Sequence, residues 1–142
     1  MYSVYSFADT SVVIGHPNIG QSLLSENGRG DITLVYAGEM SGHTATADGY
    51  TVVNKTRSHN GTVTLQVAQN SPADLFLRKY NNYVDLAPAN QFALGTLTVD
   101  DKATGNVILC NGLTPQKKPD RAYAAQAGMI SYSYLAAEII DK

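Results

Sequence analysis

The chain has 142 residues, which suits one domain, residues 1–142, with a hydrophobic core that needs no disulfides. Its hydrophobic content of 44% is ordinary for a globular protein, but only 15% of residues are charged, so hydroxyl and amide groups supply much of the polar surface. The net charge of −2, from 10 basic and 12 acidic residues, leaves no basic footprint for tight nucleic-acid binding.

Six dipeptides typical of tight turns divide the chain into short segments. Between them apolar and polar residues alternate, as they do in half-buried strands, and about eight such strands are expected. This pattern predicts a mainly β fold of two packed antiparallel sheets, as a sandwich or barrel. The six dipeptides are Asn27-Gly28, Ser41-Gly42, Asp48-Gly49, Asn60-Gly61, Thr104-Gly105 and Asn111-Gly112.

The segment from Asp31 to Asn54 predicts a long hairpin that projects from the body. Its second half, HTATADGY, has too little apolar bulk to anchor a strand in the subunit's own core. An isolated ribbon is marginal in water and its open edges invite pairing, so either the segment is a flexible loop or neighbouring copies complete it. The first strand has an apolar and a polar face, formed by Ile32, Leu34 and Tyr36 and by Asp31, Thr33 and Glu39 respectively.

The stretch NSPADLFLRKYNNY predicts one helix over about residues 72–83, directly after the strand TVTLQVA. Ser71 suits the N-cap, Pro72 suits the first helical position, and Asp74 stands where an acid can bond back to the chain. Helical spacing predicts an apolar stripe and a polar face that is directed to water. The stripe comprises Phe76, Tyr80, Tyr83 and Val84 with Leu75 and Leu77 beside it, and the polar face comprises Arg78, Lys79, Asn81 and Asn82.

This helix has two interpretations. In the simpler one it covers an open flank of the β body. In the other its polar face also contacts a neighbouring subunit. The loop PQKKPD, which contains Lys117 and Lys118, is likewise interpreted as a rim contact between subunits.

The residues that carry chemistry do not form a catalytic pattern. His16, His43 and His59 lack zinc-like spacing and are expected in surface or turn positions, and adjacent Asp100 and Asp101 would point to opposite faces of a strand. The single cysteine, Cys110, is expected in the core. The glycine pattern around residues 28–30 lacks the context of a nucleotide-binding loop, and the Arg-Gly-Asp tripeptide there is attributed to chance. We therefore expect no enzyme, cofactor or metal site.

No window approaches the roughly 20 apolar residues of a membrane span, and the first residues lack a basic leader. We expect no membrane anchor, and synthesis in a cytoplasm-like compartment.

In their order, several segments resemble the structural proteins that form the tail tube of contractile bacteriophage tails. The resemblance covers nearly the whole chain. It is carried by YSFAD, NGRGDITL, NGTVTLQVAQNSPADLFL, LTVDDKATGNVILCNGLTPQKKPD and YAAQAGMISYSY.

The resemblance implies a subunit that stacks in six-membered rings into a hollow tube, with the 31–54 hairpins joining a shared inner β-barrel. Its implied partners are further copies of itself, a tail sheath, a baseplate, a tape-measure protein and DNA that passes through without tight binding. The implied location is the phage tail, assembled in the cytoplasm of a bacterial host. A head-decoration or tail adaptor protein and a carbohydrate-binding β-sandwich are the alternatives.

A channel in such a barrel needs about 16 strands or more, which one chain of this length cannot supply. If neighbouring hairpins complete the barrel, one side of the first strand faces the channel. We expect that side to be Asp31, Thr33, Ala37 and Glu39, because acidic and hydroxyl groups let duplex DNA slide whereas cations would hold its phosphates.

Overall fold

The computed structural model describes residues 1–25 and 27–142, which form ten strands and two α-helices after a short 3₁₀ turn at Phe7–Asp9. The two helices follow the sixth strand, and the first of them is by far the longer. The elements are β1 (Thr10–His16), β2 (Gly20–Leu23), β3 (Arg29–Tyr36), β4 (Ser41–Ala45), β5 (Thr51–Lys55), β6 (Gly61–Ala68), α1 (Pro72–Leu86), α2 (Ala89–Phe92), β7 (Gly95–Asp101), β8 (Asn106–Pro115), β9 (Met129–Ala136) and β10 (Glu138–Asp141).

The body consists of two antiparallel sheets that share strand β8. The first sheet has the order β2-β1-β7-β8-β10, and the second contains β3, β6, β9 and the end of β8. β8 passes from one sheet to the other at Gly112, whose φ of +66° favours glycine. The described strands leave β2, β3 and β10 as edges and do not close into a barrel. A mainly β sandwich with one main helix, as predicted from the turn and strand pattern, is confirmed.

Buried and less buried side chains alternate along β6 and β9, and the buried ones form the centre of the core. Val63 and Leu65 of β6 are fully buried or nearly so, and Tyr132 and Tyr134 of β9 face them from the neighbouring strand. Apolar side chains buried to this extent each stabilise the fold by about 1.5–3 kcal/mol. These strands and their inward faces agree with the alternation in the sequence.

Helix α1 covers the sandwich, but its buried stripe differs from the predicted one. Residues at spacings of four, three and four face the sheets, namely Ala73, Leu77, Tyr80 and Val84. Phe76 and Tyr83 lie only at the margin of this stripe, and Leu75 is 56% exposed. The helix starts as predicted, with the Ser71 hydroxyl accepting the Asp74 N–H at 3.2 Å, and continues to Leu86 instead of ending near Tyr83.

The hairpin expected over residues 31–54 is built in two parts. β3 is part of the second sheet and pairs with β6, from Arg29↔Val67 to Tyr36↔Gly61. Only β4 and β5 form a separate two-stranded sheet, with Ser41 opposite Lys55. Backbone hydrogen bonds cross the intervening connections, from the Ala37 N–H to the Asn60 carbonyl at 3.0 Å and from the Thr56 N–H to the Met40 carbonyl at 2.9 Å. The β4–β5 hairpin therefore continues the β3–β6 ladder away from the body.

None of the helices in the described part of the chain is long and apolar enough to cross a membrane.

Candidate functional site

The second sheet has a polar outer face that stays uncovered. Thr33 of β3 lies opposite Thr64 of β6, which lies opposite Ser133 of β9, so three hydroxyl residues stand side by side across the strands. Val35, Thr62 and Leu135 form the next row, and Gln66 pairs with Ser131 in the preceding one. In these rows the side chains are hydroxyl, amide or aliphatic, and Asp31 at the β3 edge adds one carboxylate.

The predicted channel residues are all exposed, but they divide between two places. Asp31 and Thr33 lie on β3, with Thr33 on the polar outer face. Ala37 and Glu39 lie in the connection between β3 and β4. On the opposite side Ile32 and Leu34 pack against the core, while Tyr36 is 49% exposed at the end of the strand.

The β4–β5 hairpin has almost no contacts with its own subunit. Every residue of the two strands is exposed except Gly42, which is half-buried. In the described structure β4 and β5 pair only with each other, so both outer edges present free backbone groups. Tyr50 and Val53 expose 68% and 66% of their surface, respectively. Such a ribbon is marginal alone, and its apolar side chains are typical of a surface that another chain covers.

A second surface lies between α1 and the segment that follows β8. The two border a cleft of about 260 Å³ that combines cationic and amide side chains. Of the six residues predicted at subunit or sheath contacts, four line it and Lys79 and Lys117 are exposed outside it. The lining residues are Arg78, Asn81, Asn82, Lys118, Pro119, Arg121 and Tyr132.

Asn81 does not face water, contrary to the prediction. It is only 4% exposed, and its Oδ1 accepts a hydrogen bond from the buried Tyr134 hydroxyl at 2.8 Å. The reason is its position four residues after Leu77, which turns it towards the sheet. Asn81 therefore forms the inner wall of the cleft, whereas Arg78 and Asn82 form its exposed margin.

The wall of the cleft is fixed by three residues that we call the Asp74 network: Asp74, Arg121 and Tyr132. Arg121 donates two hydrogen bonds to the Asp74 carboxylate, at 2.9 and 3.2 Å, and the Tyr132 hydroxyl donates a third at 2.7 Å. Burial alone would raise the pKa of Asp74, but these bonds and one from the Asn70 N–H outweigh it and hold the pKa below its usual value. The network ties the segment after β8 to the start of α1.

Lys118 makes a second, exposed link between the same elements. Its Nζ lies 3.2 Å from the Asp85 carboxylate, with more than half of each side chain exposed. Exposed pairs of this kind contribute about 0–1 kcal/mol, so this link adds little to the Asp74 network.

Cys110 and His16 are part of the packed interior. Burial raises the pKa of the Cys110 thiol to about 11, so it stays protonated and inert. His16, predicted at the surface or in a turn, begins the turn after β1, where its carbonyl accepts the Ile19 N–H at 3.1 Å. It is nevertheless buried: its Nε2 donates to the Gln91 carbonyl at 2.8 Å and its ring packs against Tyr80 and Tyr83. His43 and His59 are exposed. Within residues 1–25 and 27–142, no cluster of His, Cys, Asp and Glu could hold a metal ion.

The fold is shared with components of contractile injection systems. The chain matches a component of the extracellular contractile injection system PVC sheath-tube complex with a TM-score of 0.61 at 11% identity, covering 96% of this chain and 90% of that one. It also matches a component of the PVC sheath/tube terminator with a TM-score of 0.63 at 12% identity, covering 100% of this chain and 98% of that one. A component of the anti-feeding prophage baseplate matches with a TM-score of 0.66 at 7% identity, covering 100% of this chain and 97% of that one. Among curated proteins none matches.

The family follows from the sequence itself. The family model described as "Bacteriophage PhiTE tail tube protein" matches residues 2–142, so the chain belongs to this family of phage tail tube proteins. It is a structural protein of the phage tail and not an enzyme. The resemblance read from the sequence is thereby confirmed, and the tail tube role is favoured over the head-decoration, adaptor and carbohydrate-binding alternatives.

Proposed function

We propose that the protein forms six-membered rings that stack into the hollow tube of a contractile tail, through which DNA passes. The observation that carries this proposal is the β4–β5 hairpin, which extends the β3–β6 ladder, exposes its side chains and pairs with no other strand of the described structure. A neighbouring copy with the same unpaired edges supplies the partner that such a ribbon needs.

The channel is lined by the polar outer face of the second sheet. Supporting this, the face presents the hydroxyl groups of Thr33, Thr64 and Ser133 in one row, and Asp31 is the charged residue beside it. The three rows named above contain no Lys or Arg, so they offer no cation to hold the phosphates of duplex DNA. In this arrangement Ala37 and Glu39 continue the lining towards the hairpin.

The proposed partners are further copies of the chain, a contractile sheath, a baseplate and a tape-measure protein. Support for the first three comes from the similar structures, which belong to a sheath-tube complex, a sheath/tube terminator and a baseplate. The exposed residues Arg78, Lys79, Asn82, Lys117 and Lys118 are proposed to lie at contacts between subunits or with the sheath.

Electron microscopy of the purified protein tests this function. We expect rings or tubes with six-fold symmetry, whose density map shows Thr33 at the channel and Leu34 directed into the subunit. Purified protein that stays monomeric at high concentration would contradict the assembly, and a map with Leu34 or Tyr36 lining the channel would contradict the assignment of the lining.

A further inference from the structure

The outer edge of β3 presents main-chain groups that no other strand of the described structure reaches. Among the described strands β3 pairs only with β6. At the end of this ladder the Ala37 N–H donates to the Asn60 carbonyl at 3.0 Å. Since alternate residues make the bonds of an antiparallel ladder, Val35 and Thr33 also bond to β6. The residues between them direct their N–H and C=O groups to the open edge, namely Ile32, Leu34 and Tyr36.

A β-bulge bounds this open stretch at its beginning. Between Arg29 and Ile32, β3 has one residue more than β6, so Gly30 and Asp31 both lie opposite Gln66. The bulge is built for glycine, because a Cβ at Gly30 would lie 3.1 Å from the Gln66 carbonyl oxygen. Bulges and charged side chains are features that end pairing along an edge strand, and here Asp31 supplies the charge.

The other open edges of the body are shorter or partly covered. Strands β2 and β10 have four residues each. The Ile139 N–H of β10 already donates to the His59 carbonyl at 2.7 Å. The stretch of β3 from 32 to 36 has five paired residues and contains no proline, lysine or bulge, the features that keep an edge strand from adding another strand.

Apolar side chains border the same edge. Val35 and Tyr36 expose 54% and 49% of their surface, and Ile32 and Leu34 are only partly buried where they pack against the core. A strand added to the edge would cover these side chains. After a short connection β3 is followed by β4, whose outer edge is also unpaired. The open edge of the body is therefore continuous with the hairpin edge that the proposed function assigns to a neighbouring copy.

We propose that residues 32–36 accept an extended strand of a second copy of this chain through the main-chain groups of Ile32, Leu34 and Tyr36, and that the Gly30–Asp31 bulge ends this pairing. The contact rests on the proposed tube function and adds to it a joint in the body of the subunit, beside the one in the hairpin. The bulge fixes the register, because a slip by one residue would turn every side chain of the added strand to the other face.

Hydrogen exchange with single-residue resolution tests this contact. In the free subunit the Thr33 and Val35 amides should exchange slowly, because they bond to β6, and the amides of the open edge should exchange quickly. In tubes that are dissolved for NMR after exchange, we expect the open-edge amides to be slowed at least about tenfold. These are the amides of Ile32, Leu34 and Tyr36.

The Arg29 amide is the internal control for the bulge. The Ala68 N–H donates to the Gly28 carbonyl at 2.8 Å, so by alternation the Arg29 N–H points to the open edge as well. It lies on the far side of the bulge from residues 32–36. We expect its exchange to remain fast in tubes, and a slowed Arg29 amide would show that the bulge does not end the pairing.

A matched pair of variants separates the main chain from the side chain. Tyr36→Pro and Tyr36→Ala both remove the aromatic ring, but only proline removes the N–H. An edge strand tolerates proline where the N–H faces away from its neighbour, so both free subunits should unfold at similar temperatures. Tyr36→Pro should need at least about tenfold more protein than Tyr36→Ala to form tubes, because it blocks strand addition. Val35→Pro removes an N–H that bonds to β6 and should lower the unfolding temperature of the free subunit.

The outcomes distinguish this contact from the tube function. Tubes whose open-edge amides still exchange quickly, or a Tyr36→Pro protein that assembles as readily as Tyr36→Ala, would overturn the contact and leave the tube standing. Protection that appears only after another tail protein is added would overturn the assignment to a second copy. Wild-type particles other than tubes in which these amides are protected would retain the contact and overturn the tube. Protein that stays monomeric would overturn both.

Discussion

The helix-covered body and the β4–β5 hairpin differ in how much of their surface is buried within the subunit. In the body, α1 buries Leu77, Tyr80 and Val84 against the sheets, and Asp74 is satisfied by Arg121 and Tyr132. In the hairpin the residues of both strands are exposed, apart from the half-buried Gly42, and the outer edges are unpaired. The body is thus stabilised by its own contacts, whereas the hairpin has almost none, and we propose that another chain supplies them.

Helix α1 has two roles in this mainly β protein. The sandwich leaves a flank that α1 closes, and the same helix forms one side of the cleft with Arg78, Asn81 and Asn82. A helix that is rigidly held by its own subunit can present these side chains in a fixed geometry. The hairpin has no such support, so its order is expected to appear on assembly.

The largest effect on folding is expected from the buried stripe of α1. Leu77→Ala should lower the free energy of unfolding by about 2–5 kcal/mol, because it leaves a cavity beneath the helix. Leu75→Ala, two residues away on the exposed side, should change it by less than about 0.5 kcal/mol. Urea unfolding of the free subunits measures both. Equal losses in the two variants would contradict the orientation of the helix.

A smaller but pH-dependent effect is expected from the Asp74 network. Asp74→Asn removes the charge that Arg121 pairs with and should cost about 3 kcal/mol near pH 7, whereas Asp85→Asn breaks an exposed pair and should cost less than about 1 kcal/mol. Unfolding free energies of the variants and wild type at neutral pH give the two losses.

The sign of the pH dependence follows from the lowered pKa of Asp74. Its stabilisation is complete above the unfolded pKa, near 4, and is lost as pH falls through the lower pKa of the folded state. The stability gap between wild type and Asp74→Asn should therefore narrow between about pH 5 and pH 2. A gap of constant size over this range would show that the Asp74 charge does not stabilise the fold.

The smallest effect on folding is expected from removal of the hairpin. Replacing residues 41–55 by a short Gly-Ser linker should change the stability of the free subunit by less than about 1 kcal/mol, since these residues bury almost nothing in it. The same change should abolish tube formation. Urea unfolding and electron microscopy test the two halves of this prediction, and a truncated chain that still forms tubes would contradict the assembly role of the hairpin.

The sequence alone predicted the structural features that depend on a local pattern of residues. The two-residue period in TVTLQVA and ISYSYLA identified the inward faces of β6 and β9, and Ser71 with Pro72 identified the start of α1. Each of these features depends on residues within one turn or one strand of each other. The segment HTATADGY has few apolar side chains, and this local composition was enough to predict that it lies outside the core.

Features made by distant residues could not be predicted. Arg121 reaches Asp74 across 47 positions, and the hydroxyl that donates to the inward-facing Asn81 comes from Tyr134, 53 positions away. Helical periodicity favoured Phe76 over Leu77 as the inner residue, since both are apolar and only the sheet decides which is covered. The burial of His16 could likewise not be predicted, because the Gln91 carbonyl that accepts its hydrogen bond is 75 positions away.

The central claim is that the hairpin is completed by neighbouring copies, and hydrogen exchange of its backbone amides tests this claim most directly. In the free subunit the amides of β4 and β5 should exchange quickly and those of β6 slowly, because only β6 is buried between two strands. In assembled tubes both sets should be protected. Equal protection of β4 and β5 in the free subunit and in the tube would contradict the account.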